Sequence, residues 1–513
     1  TVSYSYSYCT HFTDSLPNKP PSLPLSQHTR CSTLLLRIGS PLLIMASSIE
    51  GTAQIQPSKA LGFLVLGSSV HDVLGRLRAQ PRIFPSISVI YDSAAPLASP
   101  IVLTLDSNGL RLRFDGPDQR LRLIEVLDFQ KSRLSYNSGE LTRPGTGTEG
   151  PTFRSIYNKL FGPTYPGEYM EDQGVYVLSY PGVAFSFPIK KEAWKGGADF
   201  VSVLSSPDAQ PASSMAIFAG PSWLEARTGL FTRPVQNPRL PLVNGASARL
   251  SSANDEVEFV RFRDENMVEI VRRHNQPFWV RLHSTTPQDL ITELGPPSAI
   301  YRKHDHRLSI HRTRSLSGGA NGRGHQDDTD DTEPEDAQSD DEEDVSDVSA
   351  TSNSDYFYNY FHHGMDIFIS ATRSSSHPVA TKIILHGNVP GSFEFQRYRR
   401  ARWSIELSAS PKKVEELRLH SEMGFDEALP LLRERFGEGQ RPMPLNRGSD
   451  SPSSSCELLG GWEDNESAGD KVDIKVVPGG SESTFGNTVE LYGFPGFIFE
   501  VLRNKAISSL TVF

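Results

Sequence analysis

Three groups of residues in this 513-residue chain have types and spacings that could do chemistry. Gly145-Thr146-Gly147-Thr148-Glu149-Gly150 fits the GxGxxG pattern, which cradles a pyrophosphate when a buried strand leads straight into the glycines. Here the lead-in, Ser138 to Pro144, reads as a loop, so no nucleotide cofactor is expected. His304, His306, His311, His362, His363 and His386 offer imidazoles that bind transition metals. They lack HExxH spacing and any carboxylate or cysteine at fixed distance, and no metal is expected. Gln396 to Trp403 interleaves Arg397, Arg399, Arg400 and Arg402 with aromatics, a composition that could meet lipid or nucleic-acid phosphates. Charge runs are more often solvated or paired with acidic segments, and nucleic acid is not an expected partner. With neither a GxSxG elbow nor a Walker A pattern, no residue is assigned a catalytic role.

Those residues have to be held by something, and composition bounds what. The length suggests two or three domains, and a hydrophobic fraction of 37% suggests folded parts diluted by polar stretches. No apolar run approaches the roughly 20 residues of a membrane span, so a soluble or membrane-peripheral protein is expected. Residues 1–44 are rich in Ser, Pro and Thr without periodicity, and Met45 is a plausible start. They are read as a disordered or spurious leader. That reading leaves Cys456 alone, with no intrachain disulfide, and points to a reducing compartment.

The acidity is local. Asp327 to Asp347 holds thirteen carboxylates without Lys or Arg, and removing them takes the formal charge from −10 to +3. Residues 304–354 cannot bury enough apolar surface to offset their ordering entropy and are expected to be a disordered insert. Within it, Ser339-Asp340-Asp341-Glu342 matches an acid-directed kinase acceptor, making Ser339 a candidate phosphosite. Residues 437–471 read as a second low-complexity loop.

Between these stretches a pattern returns four times: a glycine, then strict apolar alternation. It begins at Gly109, Gly182, Gly364 and Gly496, and a period of two puts one face of each run against a core. Short helical stretches lie upstream, Ser69 to Leu77, Thr152 to Phe161, Thr286 to Leu294 and Phe425 to Phe436. Asp106-Ser107-Asn108-Gly109 predicts a hairpin that sets Leu103 and Leu105 beside Leu110 and Leu112. Ile217 to Trp223 also reads as a strand. The expected fold is a β-rich α+β protein of repeated helix-plus-hairpin units in two lobes, residues 61–294 and 296–513 with the insert excluded.

Several stretches resemble the phagosome assembly factor family. They are Leu61 to Gly67 with Val70 to Leu74, Val102 to Phe114, Leu123 to Val126, Phe161 to Gly167, Tyr180 to Phe185, Asp355 to Phe361 and Lys382 to Gly391. The resemblance covers about Leu61 onward apart from the two low-complexity stretches, and the chain departs from the family in its acidic insert and leader. It implies a non-catalytic, cytoplasmic adaptor of autophagy, recruited with a WD40-propeller partner to the phagophore assembly site, and also a link to trans-Golgi trafficking. Tyr356, Phe357, Tyr360 and Phe361 are then the expected partner anchors, aromatics being frequent interface hot spots, unless they belong to the core. One alternative is a peripheral protein binding phosphoinositides of an anionic membrane through the arginine cluster. The other is a hydrolase with an unrecognised site, which polar side chains converging in a pocket would favour.

Overall fold

The computed structural model describes residues 52–145, 149–190, 194, 199–206, 209–233, 255–263, 266–303, 355–371, 377–407, 417–439, 441–446, 456–461, 473–479 and 488–513. The expected leader, the acidic insert with Ser339 and part of 437–471 lie outside the described residues.

Strands β1 (Ala53–Gln56), β2 (Ala60–Leu61) and β3 (Leu64–Val65) precede helix α1 (Val70–Arg78). Its N-cap Ser69 accepts from Asp72 N at 3.1 Å, which satisfies one of the helix's orphan donors. β4 (Ser86–Asp92), β5 (Ile101–Leu105), β6 (Leu110–Phe114) and β7 (Leu121–Val126) form an antiparallel meander. Leu103 stands opposite Leu112 and Leu105 opposite Leu110, as the hairpin signal predicts. Gly109 closes that hairpin at φ 64°, and a Cβ there would lie 2.7 Å from the Asp128 carbonyl oxygen. β8 (Leu134–Tyr136), β9 (Gly139–Thr142) and a π-helical turn (Ser155–Leu160) follow. Next come β10 (Glu168–Met170), β11 (Val175–Tyr180), β12 (Val183–Pro188), α2 (Phe200–Leu204), β13 (Ser214–Phe218) and α3 (Trp223–Thr228).

The second half opens with β14 (Val257–Phe262), β15 (Met267–Arg272), β16 (Phe278–Arg281) and helix α4 (Pro287–Leu294). A capping box between Thr286 and Asp289 starts α4. β17 (Ala299–Lys303), β18 (Tyr356–Tyr360), β19 (Met365–Ala371) and β20 (Pro378–His386) make another meander. β21 (Trp403–Leu407), β22 (Leu417–His420) and helix α5 (Phe425–Phe436) come next. The remaining strands are β23 (Met443–Asn446), β24 (Cys456–Gly461), β25 (Asp473–Gly479), β26 (Thr488–Phe494), β27 (Phe497–Val501) and β28 (Ile507–Val512).

These strands form four sheets. One nine-stranded sheet has the order β10-β11-β12-β13-β7-β6-β5-β4-β25, the other β23-β26-β27-β28-β20-β19-β18-β17-β24. The five-stranded sheets read β3-β2-β1-β8-β9 and β16-β15-β14-β21-β22, each with one parallel pair at its centre. Inward-facing residues build one hydrophobic core from Ile55 to Ile217 and another from Val257 to Val512. Each of the four alternating runs buries its apolar triad there, with Leu112, Phe185, Ile367 and Phe499 all at 0% exposure.

The expected repeat is realised only in part. The protein is β-rich with few helices, and what recurs is the strand order of the sheets. Both cores belong to one compact unit spanning 48–513. The strand expected over Ile217 to Trp223 stops at Phe218, because Gly220-Pro221 breaks it and Ser222 caps α3, accepting from Glu225 N at 3.3 Å. In the stretch read as a low-complexity loop, β23 and β24 extend one sheet, and β25 just beyond it extends the other. Strand addition at an edge draws on backbone hydrogen bonds, to which composition is a poor guide.

Candidate functional site

For the cluster Arg397 to Arg402 the sequence favours solvent or the acidic insert over phosphates, and the structure folds most of it inward. Arg400 is buried and donates to the carbonyls of Pro117 at 2.6 Å, Gly387 at 2.8 Å and Ser421 at 3.3 Å. Arg399 is buried beside Arg120, and both pair with Glu256. Arg402 bridges Asp118 at 2.5 Å and Glu422 at 2.7 Å. At the same seam Gln119 Nε2 donates to the Asn388 backbone carbonyl at 2.8 Å, and Asn388 Nδ2 donates to Gln119 Oε1 at 2.7 Å. Burial lowers Arg399 to about 9 and Arg400 to about 10, so both still carry charge at neutral pH. These guanidiniums join the first half to the second, and their neighbours are carbonyls and carboxylates of this chain.

Arg397 points the other way. Its guanidinium stacks within 5.9 Å of the rings of Tyr301, Phe361 and Tyr398, and its Nη1 lies 3.7 Å from Glu394 Oε2. It forms the rim of a cavity of about 460 Å³ on the outer face of the second nine-stranded sheet. That face exists because strand alternation turns Phe357 and Asn359 of β18, Asp366 of β19 and His386 of β20 away from the core. The connection 387–402 then lays Glu394, Arg397 and Tyr398 over it.

The floor is polar and buried. Asp366 sits in the otherwise apolar run Met365–Ile369 and accepts from His386 Nε2 at 2.9 Å, Tyr398 Oη at 2.8 Å and Asn359 Nδ2 at 2.8 Å. The His386 ring stacks flat on Tyr398, centroids 3.7 Å apart and planes 10° from parallel. Burial, followed by the Asp366 charge, pushes the Tyr398 phenol far above its usual value, so it remains a donor. Ser509 donates to Glu500 Oε2 at 3.0 Å along the same floor. His386 Nδ1 and Asn359 Oδ1 have no hydrogen-bond partner, although His386 is only 7% and Asn359 5% exposed. Ile384, Leu491, Ile498, Phe357 and Tyr301 supply apolar walls.

The expected aromatic anchors divide by strand parity. Tyr360 is fully buried and donates to the Gly295 carbonyl at 3.2 Å, and Tyr356 packs against Tyr358 on the same core. As an exposed anchor Tyr360 is corrected to core. Phe357 lines the cavity and packs on Phe368, and Phe361 lies under Arg397. Among the histidines, His362 meets Ser298 Oγ at 3.1 Å, and burial holds His363 neutral at about 3. His304, His306 and His311 fall outside the described residues, as do Thr146 to Thr148 of the glycine pattern. Sequence reasoning missed Asp366, Asn359 and Glu394. The available signal was Asp366 itself, a carboxylate inside a hydrophobic strand, where a charge survives only with partners.

Comparison with known proteins matches most of the chain. The family described as phagosome assembly factor 1 matches residues 60–322 and 340–513. A PHAF1 protein of Arabidopsis thaliana is 26% identical over 492 residues, spanning 93% of this chain and 98% of its own. One from Drosophila melanogaster is 25% identical over 472 residues, 90% of this chain and 93% of its own. One from Caenorhabditis elegans is 26% identical over 411 residues, 77% of this chain and 85% of its own. No solved structure matches.

Proposed function

We propose that this chain, which belongs to the phagosome assembly factor 1 family, works in autophagosome formation as a non-catalytic adaptor. Its partner is a WD40-propeller protein, with which it is recruited from the cytoplasm to the phagophore assembly site. One observation carries the non-catalytic reading. The buried Asp366, His386 and Tyr398 converge in a cavity, as a hydrolase would need, yet His386 spends Nε2 on Asp366 and its Nδ1 meets no hydroxyl or thiol among the described residues. A nucleophile activated by general base requires that contact. Ser509, the serine in the lining, donates to Glu500 instead.

The membrane alternative would require free guanidiniums at the arginine cluster, whereas Arg399, Arg400 and Arg402 are engaged across the seam. No helix among the described residues is long and apolar enough to cross a membrane. The test is affinity purification of the tagged full chain from cells, then size exclusion and mass spectrometry. A propeller protein co-eluting in near-stoichiometric amount is expected. A chain that elutes alone, or that binds phosphoinositide-containing liposomes without any propeller protein present, overturns the adaptor reading.

A further inference from the structure

We propose that the cavity beneath Arg397 binds a lysine or arginine side chain presented by a partner polypeptide. The inference rests on the adaptor reading for the source of that side chain, and on the cavity alone for its chemistry.

The polar groups specify a donor. In the tautomer that gives Nε2–H to the Asp366 carboxylate, Nδ1 of His386 is an acceptor. Asn359 spends its amide hydrogens on Asp366 and on Tyr398, at 2.8 and 3.4 Å, which leaves Oδ1 as an acceptor. Both orphaned atoms belong to residues more than nine-tenths buried in the cavity lining. Glu394 Oε2, at the rim, lies 3.7 Å from Arg397 and accepts no hydrogen bond. A buried acceptor without a donor is costly, and three in one cavity are relieved together by a ligand that brings several N–H groups.

Charge and shape specify a cation on a stem. The lining holds the carboxylates of Asp366 and Glu394 against the single guanidinium of Arg397. An anionic ligand would add to that excess, whereas an ammonium or guanidinium offsets it. Ile384, Leu491 and Ile498 line the approach with hydrocarbon, which suits the methylenes behind such a head group. The volume of about 460 Å³ takes a long side chain with its peptide flanks. The face around the cavity already carries aromatic rings, Tyr301 and Phe357, of the kind that anchor interfaces.

Isothermal titration of the full chain at pH 7.5 tests this with five probes, spermidine and the N-acetyl methylamides of lysine, arginine, norleucine and glutamate. The lysine or arginine probe is expected to bind with Kd on the order of 1 mM, as small ligands do, and norleucine and glutamate at least about tenfold more weakly. Asn359→Leu and Glu394→Gln should each weaken the cationic probe about five- to tenfold. Glu394 is at the rim, so its variant stays informative if Asn359→Leu does not fold. Equal binding of norleucine, preference for glutamate, absence of binding by either cation, or indifference to both substitutions overturns the proposal. Spermidine binding more tightly than either amino-acid probe overturns the polypeptide source in favour of a small polyamine. Cationic probes that bind while no propeller protein co-purifies would sink the adaptor reading and leave the cavity's chemistry standing.

Discussion

On the first nine-stranded sheet, Arg111 and Arg113 of β6 both reach Glu125 of β7, at 2.7 and 2.8 Å. Helix α3 then lays Ala226 and Trp223 over Leu123, Val177, Ala184 and Phe218. On the second sheet the residue at the position of Arg111, two after a left-handed glycine, is Asp366, and its neighbour across the strand pair is Ile384 where the first sheet has Glu125. The chain covers this face differently as well. The connection after β7 is short, residues 127–133, whereas the one after β20 runs over 387–402 and arches Glu394 to Tyr398 above the sheet. One strand order thus supports a face sealed by a helix and a face left as a cavity. The scaffold alone does not choose between them, and the difference lies in a few outward residues and one loop.

The largest effect should come from what the two halves share. Leu112→Asp in the first core and Ile367→Asp in the second each bury an unpaired charge at a residue with 0% exposure. Each should cost at least about 4 kcal/mol and abolish cooperative thermal unfolding near the wild-type temperature. A wild-type melt from either variant would break the correspondence of the two inner faces.

The outer faces should separate next. Asp366→Ala strips three donors of their acceptor in a buried site and should destabilise by about 3 kcal/mol. Glu125→Ala releases two arginines whose side chains are 31% and 34% exposed, and water can replace the carboxylate there, so about 1 kcal/mol is expected. Chemical denaturation of both variants measures the gap. Equal losses would mean that the two faces are energetically alike and that the buried polar floor has no special standing.

The smallest effect sharpens the contrast through pH. His363, next to the left-handed Gly364, is held by burial at about 3 against an ordinary 6.5, so between those values the unfolded chain binds a proton that the folded protein does not. Its contribution is fully present above pH 6.5 and is lost as the pH falls, about 2 kcal/mol by pH 5. The corresponding residue of the first half, Asn108, does not titrate in that range. His363→Asn should therefore flatten stability between pH 7 and 5 in denaturant melts, and an unchanged slope would assign the pH dependence elsewhere.

Much of the scaffold was readable in the chain, because alternation and caps are local. The triads after Gly109, Gly182, Gly364 and Gly496 declared their buried faces, the Asp106 to Gly109 turn declared its register, and helices near Ser69, Thr286 and Phe425 fell within a residue or two of expectation. Locally the structure departs from the pattern at Trp223, where Gly220-Pro221-Ser222 ends the strand and caps α3. The family, too, was legible from short motifs. What the sequence could not decide was direction in space. Arg399 and Arg400 differ from Arg397 by two and three positions in one basic run, yet only tertiary packing sends the first two into a seam of carbonyls and carboxylates and the last onto the rim of a cavity. Tyr356 and Tyr360 face the core while Phe357 faces the cavity, a matter of which side of β18 the sheet buries. Asp366, His386 and Tyr398 are spread over 32 residues, and no spacing rule joins them. They meet because β19 pairs with β20 and the 387–402 connection folds back across both.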